Sequence, residues 1–293
     1  MQLLKECPEW YLDGTFKTCP LVFQQVYTVH VKLEDGKVVP AVYALLPGKD
    51  AMCYRKLLDV ISGAIDGFHP QLLHVDFELA MIRELEIAFP SAGIVGCNFH
   101  FNQCLYRFIQ SDSELYEMCR KSPGFELRMK MFSALAFVPP EDVRSSFDAL
   151  LRSPFVVRHQ VLLTRFVNYF EKTWVGRERN PSIMKSEWWN LNAVVLNGLR
   201  RTSNAIEGWH SGFAKRLGVT HPSFSAFVEF LKIEQGRTEF IVSNSRAQGL
   251  PSLPKKQYRD RDLRLKELAE SYGQRPLIPF LMSCAHNIAF ETL

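Results

Sequence analysis

Apolar and polar positions alternate where the chain opens. Leu12, Gly14 and Phe16 interleave with Asp13, Thr15 and Lys17, and Tyr27, Val29, Val31 and Leu33 interleave with Thr28, His30 and Lys32. A period of two is that of a pleated strand. The Asp35-Gly36 pair that follows is a tight-turn signal, and the apolar run Val38 to Leu46 beyond it predicts an antiparallel hairpin, so the chain starts as a three-stranded meander. Spacing turns helical at Tyr54, Leu57, Leu58, Ile61 and Ile65, gives way to a short buried strand over 71–77, and turns helical again at Leu79, Ile82, Leu85 and Phe89. A short strand over 93–96 and a helix carrying Phe101, Cys104, Leu105 and Phe108 complete the order βββαβαβα. Right-handed crossovers put the later strands parallel in the same sheet. The expected fold is therefore α/β, a mixed five-stranded sheet flanked by helices.

From 112 to 200 the strand signals stop, and Pro123, Pro139-Pro140, Pro154 and Pro181 punctuate stretches of helical period. This predicts an all-helical insertion. Helical period resumes after Asn204, with Ile206, Trp209, Phe213 and Leu217 on one stripe, and again from Phe224 to Ile233. Residues 249–256 are rich in Pro, Ser and Lys, a loop or linker signal, and a charged helix follows from Asp260 to Glu270. The expected organisation is 1–111 as the first part of a core, 112–200 as the insertion, 201–248 as the closing core helices, and 249–293 as linker and helical tail. Trp188, Trp189 and Trp209 sit at helical spacing and are expected in the core rather than as platforms for bases.

With 47% apolar and 23% charged residues among 293, the chain is an ordinary folded one, not disordered, collagenous or coiled-coil. No run approaches the ~20 apolar residues of a membrane span, and nothing at the start resembles a signal peptide. Seven scattered cysteines do not make a disulfide scaffold and point to a reducing compartment. Residues 200–266 hold 13 Lys or Arg against 6 Asp or Glu, whereas 1–199 balance at 21 against 22. That surplus suits a polyanionic partner or a solvated helix face, and charge alone does not choose between them.

Three acidic residues change the picture. In a βββαβ sheet with the first strand central, the fourth strand pairs beside the first and brings Asp13 and Asp76 together. Two adjacent carboxylates repel unless a cation neutralises them, and hard oxygen ligands suit Mg²⁺ or Mn²⁺. Glu207, on the helix after the insertion, is the third candidate, and three converging carboxylates hold two metal ions of the kind that cleave phosphodiesters. Singly, each has a structural reading: Asp13 as a turn aspartate, Asp76 as a cap, Asn204 with Glu207 as a capping box. The joint pattern favours the site. Glu78 is assigned to the helix dipole. Cys97 and His100, with Cys104 nearby, supply only half of a tetrahedral site, so zinc is not expected. His210, one turn after Glu207, either faces the same cleft or is structural, and Lys17, Arg200, Arg201, Lys215 and Arg216 are candidate contacts to DNA phosphates.

Asp13-Gly14-Thr15-Phe16-Lys17, Gln25-Val26-Tyr27-Thr28, Asp76-Phe77-Glu78-Leu79-Ala80, Phe89-Pro90 and Gly96-Cys97-Asn98-Phe99-His100-Phe101, followed by Thr202-Ser203-Asn204-Ala205-Ile206-Glu207-Gly208-Trp209-His210, resemble the Mutator-like element (MULE) transposase domain. The resemblance spans about residues 10–220. It implies a ribonuclease H-like core, an Asp-Asp-Glu triad at Asp13, Asp76 and Glu207, and DNA cleavage and strand transfer with two Mg²⁺ or Mn²⁺. It further implies that Cys97 and His100 flank the active site and that such enzymes act as multimers. A nuclear DNA transposase is the leading expectation; the alternatives are a nuclease that only hydrolyses, and a catalytically silent DNA-binding or protein-interaction module. Members usually carry a DNA-binding domain ahead of the core. Because the first strand lies close to Met1, a fragment, a truncated copy or a domesticated derivative is expected.

Overall fold

In chain order the first half comprises α1 (Gln2–Glu6), β1 (Glu9–Thr15), β2 (Gln25–Lys32), β3 (Val38–Leu46), α2 (Ala51–Ile65), β4 (Leu72–Val75), α3 (Leu79–Ala88), β5 (Gly93–Gly96) and α4 (Asn98–Gln110). These elements come from a computed structural model that describes residues 1–198, 204–248 and 256–290. The sheet order is β3-β2-β1-β4-β5, with β1 central, antiparallel to β2 and parallel to β4. The mixed five-stranded sheet and its flanking helices agree with the pattern of apolar positions. Phe16, placed in the first strand by its alternation, lies just beyond β1 and is 43% exposed. Helix α1 carries no periodic signal long enough to be read, and is found only in the structure.

The chain groups into two compact units, residues 1–94 with 203–253, and residues 95–202 with 254–293. In the first unit, α12 (Asn204–Leu217) and α13 (Phe224–Gln248) join the sheet. One sheet face, carrying Trp10, Leu12 and Tyr27, is covered by α2 and α3: Trp10 meets Phe89 edge-on at 5.5 Å, and Tyr27 lies 5.4 Å from Tyr54. Arg55 of α2 clasps Glu84 of α3 with two hydrogen bonds of 2.9 Å. The opposite face receives α12 and α13. Cys19, Val26, Phe213 and Phe227 form its buried cluster, with Tyr43, Leu45, Trp209 and Phe230 packed around them. Alternation sends Val26, Thr28 and His30 to this face and Tyr27 and Val29 to the other, so a two-faced core follows from the period of two.

The second unit is helical: α4, then α5 (Ser113–Lys121), α6 (Pro123–Ala134), α7 (Val143–Leu151), α8 (Pro154–Arg158), α9 (Gln160–Phe170), α10 (Ser186–Trp189), α11 (Asn192–Leu196), α14 (Lys256–Glu270) and α15 (Leu277–Ala285). The single apolar stretch from Leu115 to Met131 is split at Ser122, whose hydroxyl accepts from the Phe125 amide and caps α6 with Pro123 in its first turn. Phe101, Phe132, Phe166, Phe170, Trp174 and Trp189 build an aromatic core, in which Phe132 meets Phe166 at 5.1 Å and Phe101 stacks on Trp189 at 5.1 Å. Trp188 and Trp189 are buried, as their spacing predicts. Helix α9 runs into a π-helical turn over Glu171–Val175, where Arg144 and Arg177 both grip Glu171. No helix among the described residues is long and apolar enough to cross a membrane. The predicted linker over 249–256 lies outside the described residues except for Lys256, which begins α14.

Candidate active site

Asp13 lies within β1 opposite Thr28 of β2, in regular strand geometry rather than in a turn. It is buried, its Oδ1 accepts from the Gly14 amide at 2.7 Å, and the Thr28 hydroxyl donates to its carbonyl at 3.2 Å. Parallel pairing sets Glu9 against Leu72, Trp10 against Leu73 and Tyr11 against His74. Two residues further in that register, Asp13 faces Asp76, the residue after β4. The rings of Tyr11 and His74 stack 4.2 Å apart, and alternation puts Asp13 and Asp76 on that same face.

Asp13 and Asp76 line one cavity of about 90 Å³ together with Gly14, Phe16, Gln25, Tyr27, Lys49, Glu78 and Met81. Glu78 is the N-cap residue of α3 but makes no side-chain cap bond, and it lines the same cavity as the two aspartates. Three acidic residues thus line a space the size of a few water molecules. Their charge is felt by the neighbours: burial first, then Tyr54, Asp76, Asp13 and Glu78, push the Tyr27 hydroxyl well above its ordinary pKa. Burial also raises Tyr54, with Glu78 adding to the shift while the hydrogen bond from Gln25 opposes it. Carboxylate oxygens around a small cavity fit a hard divalent cation.

Helix α12 brings a further group. Nε2 of His210 lies 3.0 Å from Oδ2 of Asp13, at ion-pair distance but off the hydrogen-bond line. Behind it His30 is fully buried, its Nε2 3.0 Å from the Thr28 hydroxyl; burial, then repulsion from His210, push its pKa down to about 3. Glu207 sits in the first turn of α12, half-buried with Oε1 shielded from solvent, and its three-residue offset places it on the helix face that carries His210. It stands outside the lining of the cavity. The seat of α12 is hydrophobic: Phe213 packs 4.6 Å from Trp209 and 5.0 Å from Phe230, while Trp209 meets His30 edge-on at 4.7 Å.

The other sequence candidates divide between the two units. Cys97, buried, is the N-cap residue of α4, with His100 and Cys104 in the turns that follow, all in the second unit. Lys17 and Lys215 are exposed. Arg216 donates from Nε and Nη2, one edge of its guanidinium, to the two carboxylate oxygens of Glu234 of α13 at 2.6 Å each, which makes it a clamp between α12 and α13. Arg200 and Arg201 lie outside the described residues, as does the Asn204 side chain of the supposed capping box. Sequence reasoning missed Lys49 and the direction of Glu78. The signal for Glu78 was its place beside Asp76 at a strand end; Lys49 had none.

Residues 9–104 match the MULE transposase domain. The match begins with the first residue of β1, takes in Asp13, Asp76, Cys97 and His100, and ends in α4; α12 and Glu207 lie beyond it. No curated protein sequence matches the chain.

Proposed function

Starting from residues 9–104 as a MULE transposase domain, we propose that the chain is the catalytic part of a nuclear DNA transposase with a ribonuclease H-like core. Asp13, Asp76 and Glu207 are its metal-binding triad, Mg²⁺ or Mn²⁺ its cofactor, and DNA strand cleavage followed by strand transfer its reaction. The observation that supports this reading best is the β1–β4 register, which sets two aspartates from distant parts of the chain across one small cavity. Such crowding costs stability in a protein that has no use for it.

When bound there, two divalent ions would supply an activated water or 3′-hydroxyl and stabilise the leaving oxygen of the phosphodiester. The chain's own part is positional. The Gly14 amide orients Asp13, and α12 carries Glu207 to the sheet on an apolar seat independent of any ligand. Buried Tyr27, its hydroxyl proton held tightly, walls the cavity without adding another negative charge.

The test is to incubate the chain with end-labelled duplex DNA and Mg²⁺ or Mn²⁺, alongside Asp13→Asn and Glu207→Gln. Metal-dependent nicks lost in both variants, with joined products in the wild type, support transposition. Nicks without joining reduce the reading to a nuclease. DNA binding with no cutting in any protein would leave only a silent transposase-derived module.

A further inference from the structure

Among the described residues that line the Asp13–Asp76 cavity, Lys49 is the one cation, and it is not paired with the acids beside it. Its Nζ sits 3.9 Å from the centroid of the Phe16 ring, and among the described residues it makes no ion pair. An ammonium group near three carboxylates would ordinarily settle on one of them. Seating it on an aromatic face keeps the charge whole and directed, since a ring quadrupole attracts a cation without neutralising it.

The backbone under Lys49 is fixed from both sides. The Gly48 carbonyl accepts from Gln25 Nε2 at 3.1 Å, and Asp50 caps α2 by accepting from the Cys53 amide at 3.0 Å. Gln25 itself depends on the glycine next to Asp13, because a Cβ at Gly14 would stand 2.5 Å from its Oε1. The lysine is thus placed by the same local structure that shapes the acidic cavity. Phe16 supplies the ring and is 43% exposed, so the cation it carries stands at the cavity's solvent side.

We propose that Lys49, held on Phe16, binds the DNA backbone phosphate presented to the Asp13–Asp76 cavity. The inference rests on the strand-cutting reading above and adds the group that holds the substrate. Once cations occupy the carboxylates, Lys49 has no anion left among them, and a phosphodiester oxygen is the anion at hand. A compact ammonium with three donors suits one phosphate oxygen, and a cation beside an exposed ring is a pairing that nucleic-acid surfaces use.

The experiment is a salt titration of duplex DNA binding by the whole chain, in Ca²⁺, followed by fluorescence anisotropy. Loss of one phosphate contact lowers the magnitude of the log–log salt slope by about 0.9. Lys49→Gln and Lys49→Met should both show that drop, Lys49→Arg should restore the wild-type slope, and Phe16→Leu should weaken binding with the slope kept. A Lys49→Gln slope equal to wild type overturns the inference, even if the wild type cuts DNA. A lowered slope in a protein that never cuts upholds the phosphate contact and sinks the strand-cutting reading instead. A wild type that binds no DNA overturns both.

Discussion

The two ends of the β1–β4 pair carry acidic side chains in opposite circumstances. At the start of β1, Glu9 accepts from Lys32 at 2.6 Å and Tyr11 at 2.5 Å and lies 3.0 Å from His74. Burial works to raise its pKa, but those hydrogen bonds outweigh it and hold Glu9 down to about 2. Four residues along, Asp13 shares its cavity with Asp76 and Glu78, and among the described lining residues one lysine, seated on a ring, carries positive charge, with His210 3.0 Å from Asp13 on the side of α12. One end is a closed ionic cluster that holds strands together; the other concentrates like charge. A buried carboxylate is therefore informative through the balance of its surroundings, not through its burial.

Removing charge at the two ends should have opposite effects. Asp13→Asn relieves repulsion, so metal-dependent DNA cleavage should fall on the order of 10³-fold or more while the melting temperature stays level or rises; a large drop in melting temperature would make Asp13 a structural residue like Glu9. Phe213→Ala empties the seat of α12 and should cost about 3–5 kcal/mol in urea unfolding, with cleavage reduced through displacement of Glu207. Glu9→Gln should cost roughly 2–3 kcal/mol at neutral pH and leave cleavage intact.

Acid sharpens the contrast. Glu9 has its folded pKa below the unfolded value of 4.5, so its contribution is present above pH 4.5 and lost as pH falls toward 2. His30, pushed down to about 3 from 6.5, removes stability over the window from pH 6.5 to 3, because only the unfolded chain takes up the proton there. Urea midpoints followed against pH should show the lower step vanish in Glu9→Gln and the upper step persist. The smallest effect belongs to Glu78→Gln, for which Mn²⁺ should raise the melting temperature less than in wild type, with the metal-free value unchanged or slightly higher.

The sheet was legible because a period of two marks the first two strands and short apolar runs mark the other three, and the order βββαβ already puts Asp13 beside Asp76. Glu78 was not, because the direction of an N-cap side chain depends on the dihedrals of a turn, φ −93° and ψ 100°, which no periodicity encodes. Lys49 was hidden for a related reason: its neighbours Phe16 and Asp76 come from other loops, and only the closed sheet makes them adjacent. Arg216 looked like a solvent-facing base near Glu207, and its bidentate bond to Glu234 eighteen residues on follows from the angle between α12 and α13. Glu207 and His210 were readable as a helical pair, although the 3.0 Å approach of His210 to Asp13 was one of two open possibilities.

The first unit is assembled from two pieces of chain separated by residues 95–202. On a ribosome adding about 5–20 residues per second, the sheet emerges roughly 5–20 s before α12 can cover it. Through that interval Val26, Tyr43 and Leu45 wait without Phe213 and Phe227. The nascent sheet therefore passes through a sticky stage, and chaperone demand during synthesis should track the length of the helical stretch between the two pieces.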